Sequence, residues 1–544
     1  MEIKGVLLIS LREHIKRKKY LYFILAVFAL VEVLINPVGD FPLNDDWAIT
    51  ITLSNLLKNG WFDSPNWGGG LMLPQLSIGT FIGYLFGTNF LYLRLINIII
   101  AAVFLIIILR FSKNDVQGLL GMLILSNVLF LQSANNFMPD MIFSLLFVWS
   151  CLVLLDVIRN RLSFSIFIVL STLCLLQKQI GISLVMSAIV STWFYSNRDL
   201  LIKSTGLFIV HVLIVVGFGY FSKIMPGFVG DAYSFMIPRF FKAMTFQDST
   251  AILKMAKYSL DYMLSLGFFL LPVCCLLFRS FLNKIDNRSY LFVFLAGVAL
   301  LGLGVLWKYQ LKGDVIPFSG NVLFNLGVGP VVLTGTGQNI IPNDFMLPNI
   351  VWIMLSLMSA VLFMTFAILL LDSLRNKTGS PLPIVYLTSS IIYLFPFTMV
   401  YGNVRYLLPI VLLTYYMIVT EYKGFLRLNK MSVVSPTVIT LVVSVLLMKT
   451  YFSFHGTRND LYQDLLAQSV NKERIDAGFE INQYNFVYIN AWEESKYAGR
   501  FWHVHDDEYI LSFLPLPNYK VIHRKHYMNY LTQKRIPILI NRRL

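Results

Sequence analysis

The chain has 544 residues, of which 57% are hydrophobic and 13% are charged, whereas a typical soluble domain has roughly 25% charged residues. No soluble fold buries so much apolar surface behind so few charges, so the composition disfavours a soluble enzyme, a disordered scaffold and a nucleic-acid module. The formal charge is 44 Lys and Arg minus 29 Asp and Glu, or +15, and in a membrane protein such an excess reflects cytoplasmic loops and anionic lipids.

Apolar segments recur along the chain. A transmembrane helix needs about 20 mostly apolar residues, and on that basis the sequence predicts about thirteen spans. The first span follows the basic run 16–19 and is interpreted as an uncleaved anchor, because no small-residue cleavage site follows it. The predicted spans are 20–36, 89–109, 116–132, 139–157, 162–177, 180–196, 204–221, 260–278, 289–307, 349–371, 382–401, 406–420 and 432–449.

The turns between these spans set the predicted orientation. With a cytoplasmic N-terminus, every inside turn carries at least two Lys or Arg, as the positive-inside rule requires. The long stretches 37–88, 222–259 and 308–348 then lie outside, as does the tail 450–544. We therefore predict a transmembrane domain over 1–449 and an external soluble domain over 450–544. The Ile-, Phe- and Tyr-rich composition indicates a multi-pass protein of a bacterial cytoplasmic (inner) membrane.

The tail differs in composition from the rest of the chain. Strand-like segments at 485–490, 509–514 and 536–540 predict a small α/β domain. His503 and His505, followed by Asp506 and Asp507, are metal-ligand types at close spacing. A solvated polar turn explains them better, so no cofactor is certain and a divalent metal remains possible. The fold class is thus an all-α polytopic membrane bundle with a small C-terminal external α/β domain.

The first external loop contains an acidic pair. Asp45 and Asp46 lie between Asn44 and Trp47, and the following residues 48–57 have the spacing of a short amphipathic helix on the membrane. Capping of this helix by Asn44 or Asp45 is the structural alternative, and it explains one acid better than two.

Three further polar residues fall at the same predicted face. Asp140 begins the fourth span after a proline, Lys178 lies in the turn between the fifth and sixth spans, and Arg405 precedes the twelfth. Helix capping, snorkelling and interfacial anchoring are the respective structural alternatives. Together the residues predict an external site with acids and phosphate-binding cations. The external glycines lack the pattern of a nucleotide-binding phosphate loop, and the outer side holds no nucleotides. The energy for a reaction there must come from hydrolysis or from a preactivated lipid-linked donor.

The motifs resemble the GT-C class of membrane glycosyltransferases that use polyprenyl-phosphate sugars. The resemblance is greatest to protein O-mannosyltransferases and lipid A aminoarabinose transferases. It is carried by the acidic pair, the segments Leu73-Pro74, Phe86-Gly87 and Leu93-Arg94-Leu95, and the residues Asp140, Lys178 and Arg405 to Pro409. The family often has Asp-Glu where this chain has Asp45-Asp46.

The resemblance implies the chemistry. A sugar would pass, with inversion, from a polyprenyl-phosphate donor to an acceptor on the outer face, with Asp45 or Asp46 as general base. Lys178 and Arg405 would bind the donor phosphate, and Asp140 would position the acceptor or tune the base. Asn44, Trp47 and Arg94 are expected to bind substrate. The expected partners are the donor, a glycan, lipid or protein acceptor, and membrane lipids, but no nucleic acid.

Three other functions remain open at this point. A transporter or flippase of lipid-linked glycans would have charged residues near the membrane midplane and repeat symmetry between its halves. The sequence shows few such charges and no repeat. A polymerase or ligase would rely on external Arg and His, and it would lack the first-loop acids. A non-catalytic assembly factor would not need the acids Asp45, Asp46 and Asp140.

Overall fold

A computed structural model describes residues 2–61, 71–224, 236–245, 247, 250–284, 287–312, 323–324, 327–329, 333, 348–376, 380–400, 402–422, 430–486 and 507–544. These residues form a helical bundle followed by a small sheet. The helices are α1 (Glu2–Ile35), α2 (Asp46–Asn59), α3 (Leu73–Phe86), α4 (Phe90–Arg110), α5 (Asn114–Ser126), α6 (Val128–Ala134), α7 (Asp140–Ile158), α8 (Phe164–Gln177), α9 (Ile182–Phe194), α10 (Arg198–Ile224), α11 (Met236–Met244), α12 (Ala251–Phe269), α13 (Cys274–Leu282), α14 (Arg288–Lys312), α15 (Asn349–Arg375), α16 (Leu382–Met399), α17 (Leu408–Glu421), α18 (Lys430–Ala467) and α19 (Phe479–Phe486). The strands are β1 (Leu323–Phe324), β2 (Gly327–Val328), β3 (Ile475–Asp476), β4 (Tyr509–Ser512), β5 (Tyr519–Asn529) and β6 (Lys534–Arg543).

Apolar length shows how many helices can cross a membrane. Among the described residues, 8 helices are long and apolar enough to span it, and the number rises to 10 if each of two bent helix pairs is one span. The multi-pass helical architecture is therefore confirmed, whereas the count of about thirteen is not confirmed. The predicted spans 162–177 and 180–196 correspond to α8 and α9, which belong to a set of shorter apolar helices of 10–17 residues.

A buried hydroxyl connects the two bent pairs. Helices α5 and α6 meet at 73°, and α12 and α13 at 46°. Asn127 makes the first break, because its side-chain oxygen caps α6 by accepting from the amides of Leu129 and Phe130. The Tyr415 hydroxyl accepts from Asn127 Nδ2 at 3.3 Å and donates to the Phe269 carbonyl at 2.6 Å, at the end of α12. Helix α17 thus satisfies polar groups at both bends.

The described part of the first loop, which the sequence predicts to be external, folds into two helices. Helix α2 contains the predicted helix 48–57, whereas α3 was not predicted. The eight residues 46–53 of α2 are all buried, and α2 contacts both α3 and α19. The first half of α2 therefore lies inside the protein, whereas the sequence predicted that it lies on the membrane surface.

The C-terminal sheet has the strand order β3-β4-β6-β5. Strands β4 and β6 confirm the strands predicted at 509–514 and 536–540. In the predicted strand 485–490, residues 485–486 end helix α19, and the others lie outside the described residues. Strand β5 was not predicted, because residues 520–525 of this edge strand are polar or exposed. Exposed cations on an edge strand discourage pairing with a second chain.

Helix α18 joins the bundle to the sheet. It has 38 residues, which corresponds to about 57 Å, and it passes through the predicted domain boundary at 449/450 without a break. Its second half contributes Phe454, Leu461 and Leu465 to a core shared with β4 and β6. The division into domains at 449/450 remains a prediction, and one helix serves both cores.

Candidate functional site

The two acids of the first loop have different environments. Asn44 has a positive φ of 55°, and this turn brings the Asp46 carboxylate back to accept from the Leu43 amide at 2.8 Å. Asp46 is 2% exposed. Asp45 stands at the N-cap position, but its side chain makes no capping hydrogen bond to the described part of α2. The capping alternative thus does not account for Asp45, whereas Asp46 has a local structural partner.

Burial also separates the two acids electrostatically. Removal from water raises the pKa of Asp46 to about 8, and the nearby Arg94 charge works against this rise. Burial therefore favours the neutral form of the Asp46 carboxyl group. A general base must accept a proton from outside the protein, and this requirement favours the partly exposed Asp45 over Asp46.

Arg94 supports the loop that carries the acids. Its guanidinium donates to the carbonyls of Pro37, Gly39 and Phe41 at 2.8, 3.0 and 3.0 Å, and it lies over the Phe41 ring with 5.1 Å to the centroid. Arg94 is 1% exposed. These contacts give it a clear structural role on the loop, and its expected contact with substrate stays a prediction.

Four predicted site residues form one cluster of alternating charge, which we call the charge network: Asp45, Arg405, Asp140 and Lys178. Arg405 Nη1 lies 3.2 Å from Asp45 Oδ2, and Arg405 Nε lies 4.0 Å from Asp140 Oδ2. Lys178 Nζ lies 2.6 Å from Asp140 Oδ1. The residues come from the starts of α2 and α7, the turn after α8, and the 3-10 turn before α17.

The charge network is only partly shielded from solvent. The side chains of Asp45, Lys178 and Arg405 are 17%, 17% and 14% exposed, whereas Asp140 is 6% exposed. Asp140 faces both cations, so it holds them near each other. The buried Arg405 Nε has no hydrogen-bond partner among the described residues, because its distance to Asp140 exceeds hydrogen-bonding range. An oxygen anion entering the cluster would satisfy that donor.

Aromatic rings surround the two cations. Lys178 Nζ is 5.5 Å from the Phe143 centroid and 5.3 Å from the Tyr406 centroid. The Arg405 guanidinium is 5.5 Å from the same Tyr406 ring, which stacks on Phe397 at 4.4 Å. The rings stabilise both cations and shield them in part from water, and weaker hydration strengthens the attraction of an anion.

A pair of buried glutamines, for which no role was predicted from the sequence, holds the network in place. Gln177 Nε2 donates to Gln75 Oε1 at 2.9 Å and to the Pro139 carbonyl at 3.3 Å. Gln75 Nε2 donates to the Phe137 carbonyl at 2.5 Å. Both side chains are 0% exposed. They connect the turn that carries Lys178 to the segment that carries Asp140. In the sequence, this role is indicated only by the position of each glutamine next to an apolar stretch.

The C-terminal region also reaches the first loop. Trp47 packs edge-on against Phe479 of α19 with 6.2 Å between ring centroids. The next residue, Glu480, forms a salt bridge to Arg458 of α18 at 2.5 Å, and both side chains are 0% exposed. We call Arg458 and Glu480 the junction pair. His455 Nδ1 lies 2.9 Å from Arg458 Nη2. The segment containing Glu480 thus has a structural role that the sequence did not reveal.

The junction pair is electrostatically linked to the acidic loop. Burial raises the pKa of Glu480, although the Arg458 charge opposes this rise. Glu480 in turn contributes to the raised pKa of Asp46. Two acids on different segments are therefore close enough to interact, which places α19 beside the first loop.

The remaining predicted residues lie away from a solvent-facing site or outside the description. Asn44 and Trp47 are 3% and 0% exposed, and their expected contact with substrate stays a prediction. His503 and His505 lie outside the described residues. Asp507 is described, and it accepts from Tyr519 and Arg543 within the sheet. The described ranges contain no group of three metal-ligand side chains.

One further buried ion pair was not predicted. Lys308 Nζ of α14 lies 2.8 Å from Asp261 Oδ1 of α12, and their side chains are 6% and 3% exposed. The pair lies within apolar helices, where a charge is expensive unless it is paired. Its neighbour Tyr262 approaches Gly402, just before Arg405.

Comparisons with known proteins give one match. No family model matches the chain, and no curated protein matches it. The chain is similar to the crystal structure of ArnT from Cupriavidus metallidurans bound to undecaprenyl phosphate, with 12% sequence identity. The match covers 86% of this chain and 84% of that chain, with a TM-score of 0.38. A TM-score below 0.5 supports neither a shared fold in detail nor the transfer of any residue's role.

Proposed function

We propose that this protein is an integral-membrane glycosyltransferase that moves a sugar from a polyprenyl-phosphate donor to an acceptor at the outer face. The observation that carries the proposal is the charge network. It combines a partly exposed carboxylate, Asp45, with two cations that are held by a second, more buried carboxylate, Asp140. The motif resemblance described above points to the same chemistry.

The roles follow from accessibility and charge. Asp45 acts as the general base, taking a proton from the acceptor hydroxyl or amine as the acceptor attacks the anomeric carbon. The sugar passes through an oxocarbenium-like state, and its configuration inverts because the attack is a single displacement. The bond to the polyprenyl phosphate breaks, and the released phosphate keeps the electron pair.

Lys178 and Arg405 stabilise the leaving group. As the glycosidic bond breaks, negative charge grows on the phosphate oxygen, and preorganised cations lower the energy of that state. The buried Arg405 Nε donor lacks a hydrogen-bond partner among the described residues, so a phosphate oxygen that reached it would gain a hydrogen bond. Asp140 positions both cations through its salt bridges. Phosphate binding would also weaken the contact between Arg405 and Asp45 and leave the carboxylate to act as base.

A transporter or flippase of lipid-linked glycans is the second candidate. The buried Lys308–Asp261 pair is the observation that favours it, because ionisable residues inside the membrane commonly mark a transport path. In that case donor lipid would bind without being consumed.

The test measures turnover of a radiolabelled polyprenyl-phosphate sugar by purified protein with lipid extract. The extract supplies candidate acceptors. Wild type, Asp45→Asn and Asp46→Asn are compared for sugar transfer or release. Turnover that disappears only with Asp45→Asn supports the proposal. Turnover that both variants retain would reject an acidic base in this loop, and binding without turnover in every protein would favour transport.

A further inference from the structure

A cavity lies at the end of the bundle opposite the charge network. Its volume is about 400 Å³, and it is lined by residues from the ends of α4 and α7, from the turn after α7, and from α17. Helix α7 has 19 residues, which separates Asp140 at its start from the cavity at its end by about 28 Å. The cavity is therefore distinct from the site proposed above and lies at the face predicted to be cytoplasmic.

The charged lining of the cavity is mainly basic. Arg110, Arg159 and Arg161 line it together with a single acid, Asp156. Both Arg159 and Arg161 approach the same oxygen, Asp156 Oδ1, at 3.7 and 3.9 Å. Three cations and one acid give the lining a net charge of +2. The remaining wall is apolar or aromatic and includes Leu152, Leu155, Leu162 and Tyr416.

The local backbone fixes this arrangement. After α7, Asn160 adopts a positive φ of 56°, which turns the chain back on the helix. The Arg161 amide then donates to the Asp156 carbonyl at 2.8 Å. From the other side, the Tyr416 hydroxyl donates to the Phe111 carbonyl at 2.9 Å. The cavity walls are thus held by hydrogen bonds from three segments.

The arginines retain the ability to bind an anion. The side chains of Arg159 and Arg161 are 33% and 68% exposed, and their distances to Asp156 are longer than a hydrogen bond. Guanidinium groups bind phosphate through paired hydrogen bonds. Arginines at helix C-termini also offset the helix dipole, but that role alone does not require them to line a common cavity with apolar walls.

We infer that this cavity binds the phosphate headgroup of an anionic membrane lipid. The net charge of +2 suits a headgroup with about two negative charges, such as a phosphomonoester at neutral pH. The leucine walls suit the start of an acyl chain, and basic pockets between helices at the cytoplasmic side are known lipid sites. The site binds lipid independently of glycosyl transfer.

The experiment measures lipid binding to the purified full-length protein by native mass spectrometry. The probes are phosphatidic acid, phosphatidylglycerol and phosphatidylcholine, because their headgroups carry about two, one and no net negative charges. We expect affinity to fall in that order. The double variant Arg159→Gln/Arg161→Gln removes two of the three cations and should weaken phosphatidic acid binding roughly 30-fold. Arg198→Gln is the matched control, since Arg198 is an exposed arginine in a predicted inside turn that does not line the cavity.

A second variant distinguishes a lost binding site from a misfolded protein, because its expected effect is tighter binding. Asp156→Asn raises the net charge of the lining, so it should tighten phosphatidic acid binding about fivefold. Equal phosphatidic acid affinity in wild type and in both cavity variants would overturn the inference. Displacement of the lipid by millimolar inorganic phosphate would show that the site takes free phosphate, and it would overturn the assignment to a lipid.

Discussion

Two ion-pair regions meet at the loop between α1 and α4, and they differ in how completely their charges are enclosed. The junction pair, Arg458 and Glu480, is fully buried and closed at 2.5 Å. In the charge network, by contrast, Asp45 and Arg405 are 17% and 14% exposed, and their contact is 3.2 Å. Both regions combine acids with cations, but only the charge network leaves part of its charge accessible to another molecule.

The degree of enclosure distinguishes ion pairs that stabilise the fold from ion pairs that can bind a ligand. An enclosed pair gains little net stability, yet loss of one partner is costly because the other charge stays buried and unpaired. A partly open pair can exchange its internal partner for a ligand at low cost. The junction pair should therefore control folding of the interface between α18 and α19, while the charge network should control turnover.

The largest expected effect is on catalysis. Asp45→Asn preserves the shape of the side chain but removes the base, so transfer should fall by about 10²- to 10⁴-fold. The apparent melting temperature should change little, because Asp45 is partly exposed. Rates and melting are compared with those of Asp46→Asn, which should keep most of its activity. A strong loss only in Asp46→Asn would assign the base to the other acid.

The next effect is on stability. Glu480→Ala leaves Arg458 buried without its partner, so the free energy of unfolding should fall by about 3–5 kcal/mol. The double variant Arg458→Met/Glu480→Leu removes both charges and should recover much of that loss. Thermal melting and limited proteolysis of the C-terminal region measure the effect. Similar melting for the single variant and wild type would show that the junction pair contributes nothing to the interface.

A smaller effect is expected at the donor phosphate. Lys178→Ala removes one of two cations, so kcat/KM for the donor should fall by about 10²-fold. Lys178→Arg keeps the charge and should retain more activity. Asp140 still faces Arg405 in both variants, which limits the loss of stability. A defect in melting without a defect in kcat/KM would leave Lys178 with a structural role alone.

The smallest effect, taken for each pH unit, is a change of stability with pH. The pKa of Asp46 is about 8 in the fold and about 4 in an unfolded chain, so the unfolded state holds fewer protons between these values. Stability therefore falls as pH rises from about 4 to 8, by at most ~1.4 kcal/mol per pH unit from this group. Asp46→Asn should flatten that slope, while its amide oxygen still accepts from Leu43. Melting across pH 5–8 tests this, and an unchanged slope would show that Asp46 is ionised.

The sequence predicted the ingredients of the charge network better than their arrangement. Asp140, Lys178 and Arg405 were identifiable because each is a charged residue at the predicted outer end of an apolar span, and Asp45 because it belongs to an acidic pair in the loop 37–88. The distinction between Asp45 and Asp46 required the positive φ at Asn44, which the sequence does not display. Their catalytic and binding roles remain predictions.

The fold shows the same limit. Long apolar spans and two strands of the C-terminal sheet were predictable because hydrophobic patterning is local. The bend at Asn127 was not, since a single capping residue divides an otherwise continuous apolar run. Helix α3 and the contact of Glu480 with Arg458 depend on partners distant in sequence. Pairing of that kind leaves no periodic signal.

The unbroken length of α18 has a mechanical consequence. A helix of 38 residues that packs in both cores is stiff. A movement of the C-terminal sheet would therefore also displace the other end of this helix. The junction pair connects α19 to α18, and α19 contacts α2 next to Asp45. A molecule that binds the C-terminal sheet could therefore shift the first loop through α18 and α19.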